Sequence, residues 1–132
     1  MNKVLVLLFI SIFVMILVSC DNHKEENNEP TYRKISSHEA KEMMVTNPNV
    51  IVLDVRTIEE YNEKHIPNAL LIPVDEIKEK APLELKDKNQ IILVYCRSGN
   101  RSKTASYDLI YLGYLNVYDF GGINEWEYEV VK

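Results

Sequence analysis

The segment Gln90-Ile91-Ile92-Leu93-Val94-Tyr95 does most to limit what this chain can fold into. Its five apolar residues run without alternation and end directly on Cys96. A short unbroken apolar run rich in β-branched residues reads as a strand buried on both faces. Such a strand needs a covering layer on each side. Val50-Ile51-Val52-Leu53 and Ala69-Leu70-Leu71-Ile72 are runs of the same kind, the second stopped by Pro73, and Asn116 to Phe120 supplies a further strand.

Helical patterns lie between these runs. Ser36 and Glu39 have the spacing of a capping box, and Ala40, Met43 and Met44 follow on one face until Asn47-Pro48. Thr57 and Glu60 form a second capping box, opening a short helix to about Glu63. Val74 to Ala81 places Val74, Ile77 and Ala81 on one side. Arg101 to Leu112 turns Ala105, Leu109 and Leu112 inward, with Gly113 at the position of a C′ glycine. A last short helix surrounds Trp126. Apolar strands alternating with helices imply an α/β domain with a mostly parallel sheet and helices on both faces.

The first 20 of the 132 residues differ from the rest. Met1-Asn2-Lys3 carries one cation, and Val4 to Val18 is apolar except for Ser11. A basic start, an apolar run of about 15 residues and a small residue before a cut site read as a secretory signal. The run is shorter than the roughly 20 residues that span a bilayer. Asp21 to Pro30 has no apolar residue other than its final proline and reads as a tether. Leu17-Val18-Ser19-Cys20 resembles the lipobox of bacterial lipoproteins. That resemblance implies a signal peptide over 1–19, lipidation of Cys20, a tether over 20–31 and a domain over 32–132. The domain would then sit at the cell membrane, lipid-anchored, on the extracytoplasmic side. Two or more acyl chains anchor a protein stably, where one does so only marginally.

Loss of residues 1–19 would remove one cation, Lys3, from 15 and leave 20 acids, taking the formal charge from −5 to −6. A mild acidic excess argues against nucleic acid as a partner and against an electrostatic grip on anionic lipid. With Cys20 lipidated, Cys96 is a free thiol in an exported protein and needs an explanation. A Cys20–Cys96 disulfide is the alternative, and it would tie the domain to the tip of its own tether.

The chemistry concentrates in Cys96-Arg97-Ser98-Gly99-Asn100-Arg101-Ser102, between the strongest strand and the longest helix. A loop that turns from a strand into a helix points backbone amides at whatever occupies its mouth, and such a nest favours anions. Arg97 and Arg101 add fixed cations. A thiol seated there ionises more readily, which is what a nucleophilic cysteine needs at neutral pH. The same cradle would hold a persulfide anion, with equal charge one atom further out.

Several spaced motifs resemble the rhodanese family: Leu53-Asp54-Val55-Arg56 followed by Glu60-Tyr61; His65-Ile66-Pro67-Asn68-Ala69; the loop Cys96 to Ser102; and Gly121-Gly122-Ile123 with Trp126. The resemblance covers roughly Ser36 to Trp126. It implies a three-layer domain with a central five-stranded sheet. It also implies transfer of a sulfane sulfur, from a small anionic donor such as thiosulfate to a thiol or other thiophilic acceptor, through a persulfide on Cys96. Arg101 and Arg97 would help bind the donor, and the amides from Arg97 to Ser102 would hold the transferred sulfur. No metal or organic cofactor is implied. Lys64 and Asn68 depart from the glycines common in the second motif; Asn tolerates a left-handed backbone.

Asp54 and Arg56 are expected to support the site, Asp54 accepting loop amides and Arg56 pairing with Glu60. His65 is expected to fix a turn, and Tyr111 and Tyr114 are candidates for lining the acceptor's approach. His23 and His38 make no metal set with Cys96. A tyrosine-phosphatase reading is disfavoured, since in that family the arginine stands six positions after the cysteine and here that position is Ser102. A thiol-redox or persulfide-binding module without turnover is the remaining alternative.

Overall fold

The structure, a computed structural model, describes residues 31–132. The expected signal peptide over 1–19, the expected lipidation or disulfide of Cys20, and all of the expected tether but Thr31 fall on residues outside those described.

Five strands form one sheet: β1 (Arg33–Lys34), β2 (Ile51–Asp54), β3 (Leu70–Leu71), β4 (Ile91–Cys96) and β5 (Asn116–Gly122). Their order is β1-β5-β4-β2-β3, and every pairing is parallel. The helices are α1 (Ser37–Thr46), α2 (Ile58–Glu63), α3 (Ile77–Glu84) and α4 (Asn100–Tyr111), with short 3₁₀ turns at Val74–Glu76 and Ile123–Glu125. Both expected capping boxes form: Ser36 and Thr57 each accept the N3 amide, while Glu39 and Glu60 reach back to the cap amides.

Strand period fixes two cores. Along β4, Ile92, Val94 and Cys96 face α3 and α4 with Leu53, Val55, Ile77, Ala81, Ala105 and Leu109. Leu93 and Tyr95 face the other way, into a second core with Ala40, Val52, Phe120 and Trp126. Residues 92–95 of β4 are fully buried; truncating one of its aliphatic side chains to alanine would cost about 2–5 kcal/mol.

Three details differ from the sequence reading. The residues themselves marked only four strands; the fifth, β1, is two exposed residues paired with Tyr118 and Asp119 at the sheet edge. The helix expected to end at Ala81 begins as a 3₁₀ turn and runs through Pro82 to Glu84. Pro82 is exposed in the last turn, where the carbonyl it leaves without a donor can meet water. In the second motif Lys64 is extended, at φ −166°, and Asn68 takes the left-handed conformation at φ 64°.

The sheet order positions the site. From β2 the chain moves outward to β3, then returns to lay β4 on the other side of β2. Loops leaving β2 and β4 therefore diverge, opening a crevice at the carboxyl ends of these strands. Asp54 pairs with Tyr95 there, and Cys96 pairs with Gly122 of β5.

Candidate active site

Cys96 is the last residue of β4, buried with 1% of its surface exposed. The next three residues reverse the chain into α4, whose N-cap is Gly99 at φ 107°, a backbone conformation that other residues reach only with strain. The turn directs the Gly99 amide at the Cys96 sulfur, 3.0 Å away. Burial by itself would push the thiol up. It is outweighed by the Ser102 hydroxyl and by the amides of Ser102, Gly99 and Ser98, which hold the thiol below its ordinary value. The Ser102 hydroxyl has a single proton and lies 3.0 Å from the Gly99 carbonyl and 3.3 Å from that of Gly121. Its donation can thus pass between these carbonyls and the sulfur.

A close contact fixes the loop from behind. A Cβ on Gly122 would lie 2.1 Å from the Arg97 carbonyl oxygen, so the loop can rest on β5 only because residue 122 has no side chain. The Asn124 amide donates to the same carbonyl at 3.2 Å. The paired glycines at 121 and 122 were legible as a motif, yet their role in supporting the loop was not.

Arg101 stands beside the thiol and pairs with Glu60. Its two terminal nitrogens lie 2.7 and 2.9 Å from the two carboxylate oxygens. The hydrogen bonds from Arg101 bring the Glu60 carboxyl down to about 2, against the opposing effect of burial. The Arg101 guanidinium is in turn raised, first by Glu60, with the Cys96 sulfur also contributing. The expected Arg56–Glu60 pair does not form. Arg56 turns inward from the end of β2 and closes on Asp54, with Nη2 2.6 Å from Oδ2 and Nε 2.9 Å from Oδ1. The inward turn leaves Glu60, on α2, to Arg101.

Asp54, Arg56 and Tyr95 make a buried polar cluster under the crevice. The Tyr95 hydroxyl donates to Asp54 Oδ2 at 2.6 Å and accepts the Ile66 amide at 3.1 Å. Arg56 Nη2 also donates to the Lys64 carbonyl at 2.7 Å. Asp54 does accept a backbone amide, that of Arg56, at 3.0 Å. Burial, then Asp54, drives the Tyr95 phenol far above its usual range, so it stays a donor. These groups support the loops and do not reach the sulfur. The sequence signal for Tyr95 is a phenol inside an otherwise aliphatic strand, which no local motif marks as part of the site.

Arg97, Ser98 and Asn100 are exposed, Gly99 is partly exposed and Ser102 is buried. The Arg97 side chain makes no ion pair among the described residues. It borders a small cavity of about 100 Å³ that also touches Arg56, Glu60, Lys64 and Asn124. A larger groove of about 790 Å³, along α1 and Tyr118, touches none of the loop. Tyr114 does not line an approach: it is buried and donates to the Ala81 and Leu85 carbonyls. Tyr111 is exposed at the end of α4 remote from Cys96. His65 fixes a turn as expected, its amide and carbonyl bridging to Val131 and its ring stacked on Tyr61. Among the described residues no group of acidic, histidine and cysteine side chains is arranged to hold a metal.

A family model described as a rhodanese-like domain matches residues 36–129. The chain belongs to the rhodanese-like family. The thiosulfate sulfurtransferase PspE of Escherichia coli is 36% identical over 80 residues, 61% of this chain and 77% of that protein. The thiosulfate sulfurtransferase GlpE of Coxiella burnetii is 35% identical over 97 residues, 73% of this chain and 88% of that protein. A tRNA uridine(34) hydroxylase of Hamiltonella defensa is 31% identical over 116 residues, but the match spans only 32% of its length. The rhodanese-like fold is matched by a rhodanese-related protein of Thermoplasma volcanium, with a TM-score of 0.66 and 34% identity over 76% of this chain and 98% of that one. A rhodanese from E. coli, solved with anions, matches with a TM-score of 0.59 and 35% identity over 62% of this chain and 96% of that one.

Proposed function

We propose that this rhodanese-like chain is a sulfurtransferase that carries a sulfane sulfur on Cys96. The observation that carries the reading is the Gly99 amide 3.0 Å from the Cys96 sulfur, in a loop whose amides and Ser102 hydroxyl favour the anion. The relatives named thiosulfate sulfurtransferase support it.

The reaction has two displacements. The Cys96 thiolate attacks the outer sulfur of a donor such as thiosulfate. A sulfur–sulfur bond forms, the donor's own bond breaks, and sulfite leaves with the electron pair. A thiolate or another thiophile then attacks the outer sulfur of the persulfide, and the electron pair returns to Cys96. No external oxidant enters the balance. Of the two loop arginines only Arg101 is ion-paired among the described residues, and their roles divide accordingly. Arg97, exposed beside the small cavity, meets the anionic donor. Arg101, held by Glu60, supplies a fixed cation near the sulfur. Ser98, Gly99, Asn100 and Ser102 complete the cradle.

In this reading residues 1–19 are a lipoprotein signal peptide, Cys20 is lipidated, residues 20–31 form the tether, and the domain acts at the outer face of the cell membrane. Its support is the Leu17-Val18-Ser19-Cys20 segment at the end of an apolar run. Thiocyanate formation from thiosulfate and cyanide tests the chemistry; Cys96→Ser should abolish it in a folded protein, and retained turnover would refute the mechanism. Fractionation tests the anchor; Cys20→Ala should release the protein from membranes, and unchanged partition would refute lipidation.

A further inference from the structure

Asp119 is fully buried on β5, inside the otherwise apolar segment Val117-Tyr118-Asp119-Phe120. Its Oδ1 accepts the Gly121 amide at 2.9 Å, and its Oδ2 has no partner. A carboxylate withdrawn from water with one oxygen unsatisfied is costly, so its retention needs a reason. The Gly121 amide it holds belongs to a residue at φ 86°, and the carbonyl of Gly121 faces the Ser102 hydroxyl at 3.3 Å. A Cβ on Gly99 would lie 3.7 Å from the Gly121 Cα, while Gly122 packs on Arg97 and Ser98. The Asp119 carboxylate thus sits at the base of a chain of contacts that runs through Gly121 and Gly122 to Ser102, Arg97 and Ser98.

We propose that Asp119 is a positioning residue for Cys96: by clamping the Gly121 amide it holds the Gly121–Gly122 turn that supports the loop amides and offers a carbonyl to Ser102. The proposal rests on Cys96 being the nucleophile. It needs no contact between Asp119 and the sulfur, and no proton moves along the chain.

The second core-facing orphan fits the same picture. Ser106 is buried with its hydroxyl unpartnered. It lies one turn beyond Ser102 on α4, about 6 Å along the helix. Asp119 lies two residues before Gly121, about 6.6 Å along a strand. Ser102 meets Gly121, and both orphaned groups lie one step further from the loop, Ser106 along α4 and Asp119 along β5. The charged and titratable groups bearing on the cluster are Tyr32 before β1 and Tyr107 on α4, with Arg101 and its partner Glu60 nearer the sulfur and Arg97 exposed on the loop. Lys34, beside Asp119 in register, is exposed.

The test is the pH profile of Cys96 alkylation by iodoacetamide in the full chain, a readout that needs no sulfur transfer and so separates this proposal from the activity. Asp119→Asn keeps an oxygen for the Gly121 amide and should leave the profile within about twofold of the parent at each pH. Asp119→Val fills a buried strand position without an acceptor, and Asp119→Ala removes the group. Both should displace the profile to higher pH, slowing alkylation near neutrality roughly three- to tenfold. Two variants without the acceptor guard against one failing to fold. A folded Val or Ala variant with the parental profile would overturn the proposal. So would an Asn variant displaced as far as Val. A displaced profile in Val with the parental one in Asn supports it, whether or not the chain proves to transfer sulfur.

Discussion

Arg101 and Glu60, 41 residues apart in sequence, face each other through two hydrogen bonds of 2.7 and 2.9 Å at the mouth of the Cys96 loop. The pair ties α2, opened by the Thr57 capping box, to the first turn of α4. It also fixes a cation where a helix N-terminus would otherwise disfavour one.

The pair should be visible in the acid limb of stability. The Glu60 carboxyl ordinarily titrates at 4.5 and is held at about 2 in the fold. Its folded value is depressed, so its contribution is present above 4.5 and is lost as pH falls through about 2. The pair is partly exposed, so Glu60→Gln should cost only about 1 kcal/mol at pH 7. That difference should shrink between pH 4.5 and 2. Denaturant melts of parent and variant across this range check it; a difference that grows on acidification would contradict the assignment.

The buried cluster under the loop should show a graded loss. Asp54→Ala leaves the Arg56 guanidinium buried without its counter-charge and should cost about 3–5 kcal/mol. Tyr95→Phe leaves the Ile66 amide without its acceptor, while Asp54 Oδ2 keeps Arg56, and should cost about 1–3 kcal/mol. Thermal or denaturant unfolding gives the ranking; an equal or larger loss for Tyr95→Phe would mean that the ion pair is not the centre of the cluster.

Much of this architecture is legible in the residues, and the exceptions have physical causes. Capping boxes at Ser36 and Thr57 are local: a side chain three positions away satisfies the cap, so sequence suffices. The buried strands announce themselves because both faces must be apolar. Strand β1 does not, since Arg33 and Lys34 are exposed and adopt strand geometry only by pairing with β5. Ion-pair partners are tertiary as well. Arg56 and Glu60 have the spacing of helix neighbours, but Arg56 precedes α2 and turns into the core. In the site, Cys96 and its cradle were readable from the loop itself. The backing by Gly122 and Asp119 depends on β5 lying beside β4, which no local pattern records.

Gly122→Ala should disable the loop. Its added methyl would need the space of the Arg97 carbonyl, which is backbone and cannot swing aside. Sulfur loading of Cys96 should fall at least tenfold while the far helices keep their signal in circular dichroism. Loading at the parental rate would show that the loop does not depend on this contact.

Ser102→Ala removes the hydroxyl donor from the sulfur. With fewer donors the thiolate is less favoured, so the thiol titrates higher and less of it is ionised at neutral pH. Alkylation near neutrality should slow roughly tenfold, and the difference should close at high pH, where both proteins are fully ionised. Equal rates at neutral pH would remove Ser102 from the cradle.

The central claim is that Cys96 carries the transferred sulfur, and intact mass spectrometry of the purified protein tests it most directly. After incubation with thiosulfate the mass should rise by about 32 Da, a gain lost on addition of cyanide or a thiol and absent from Cys96→Ser. No gain with thiosulfate, polysulfide or a small persulfide, or a gain that survives in Cys96→Ser, would contradict it.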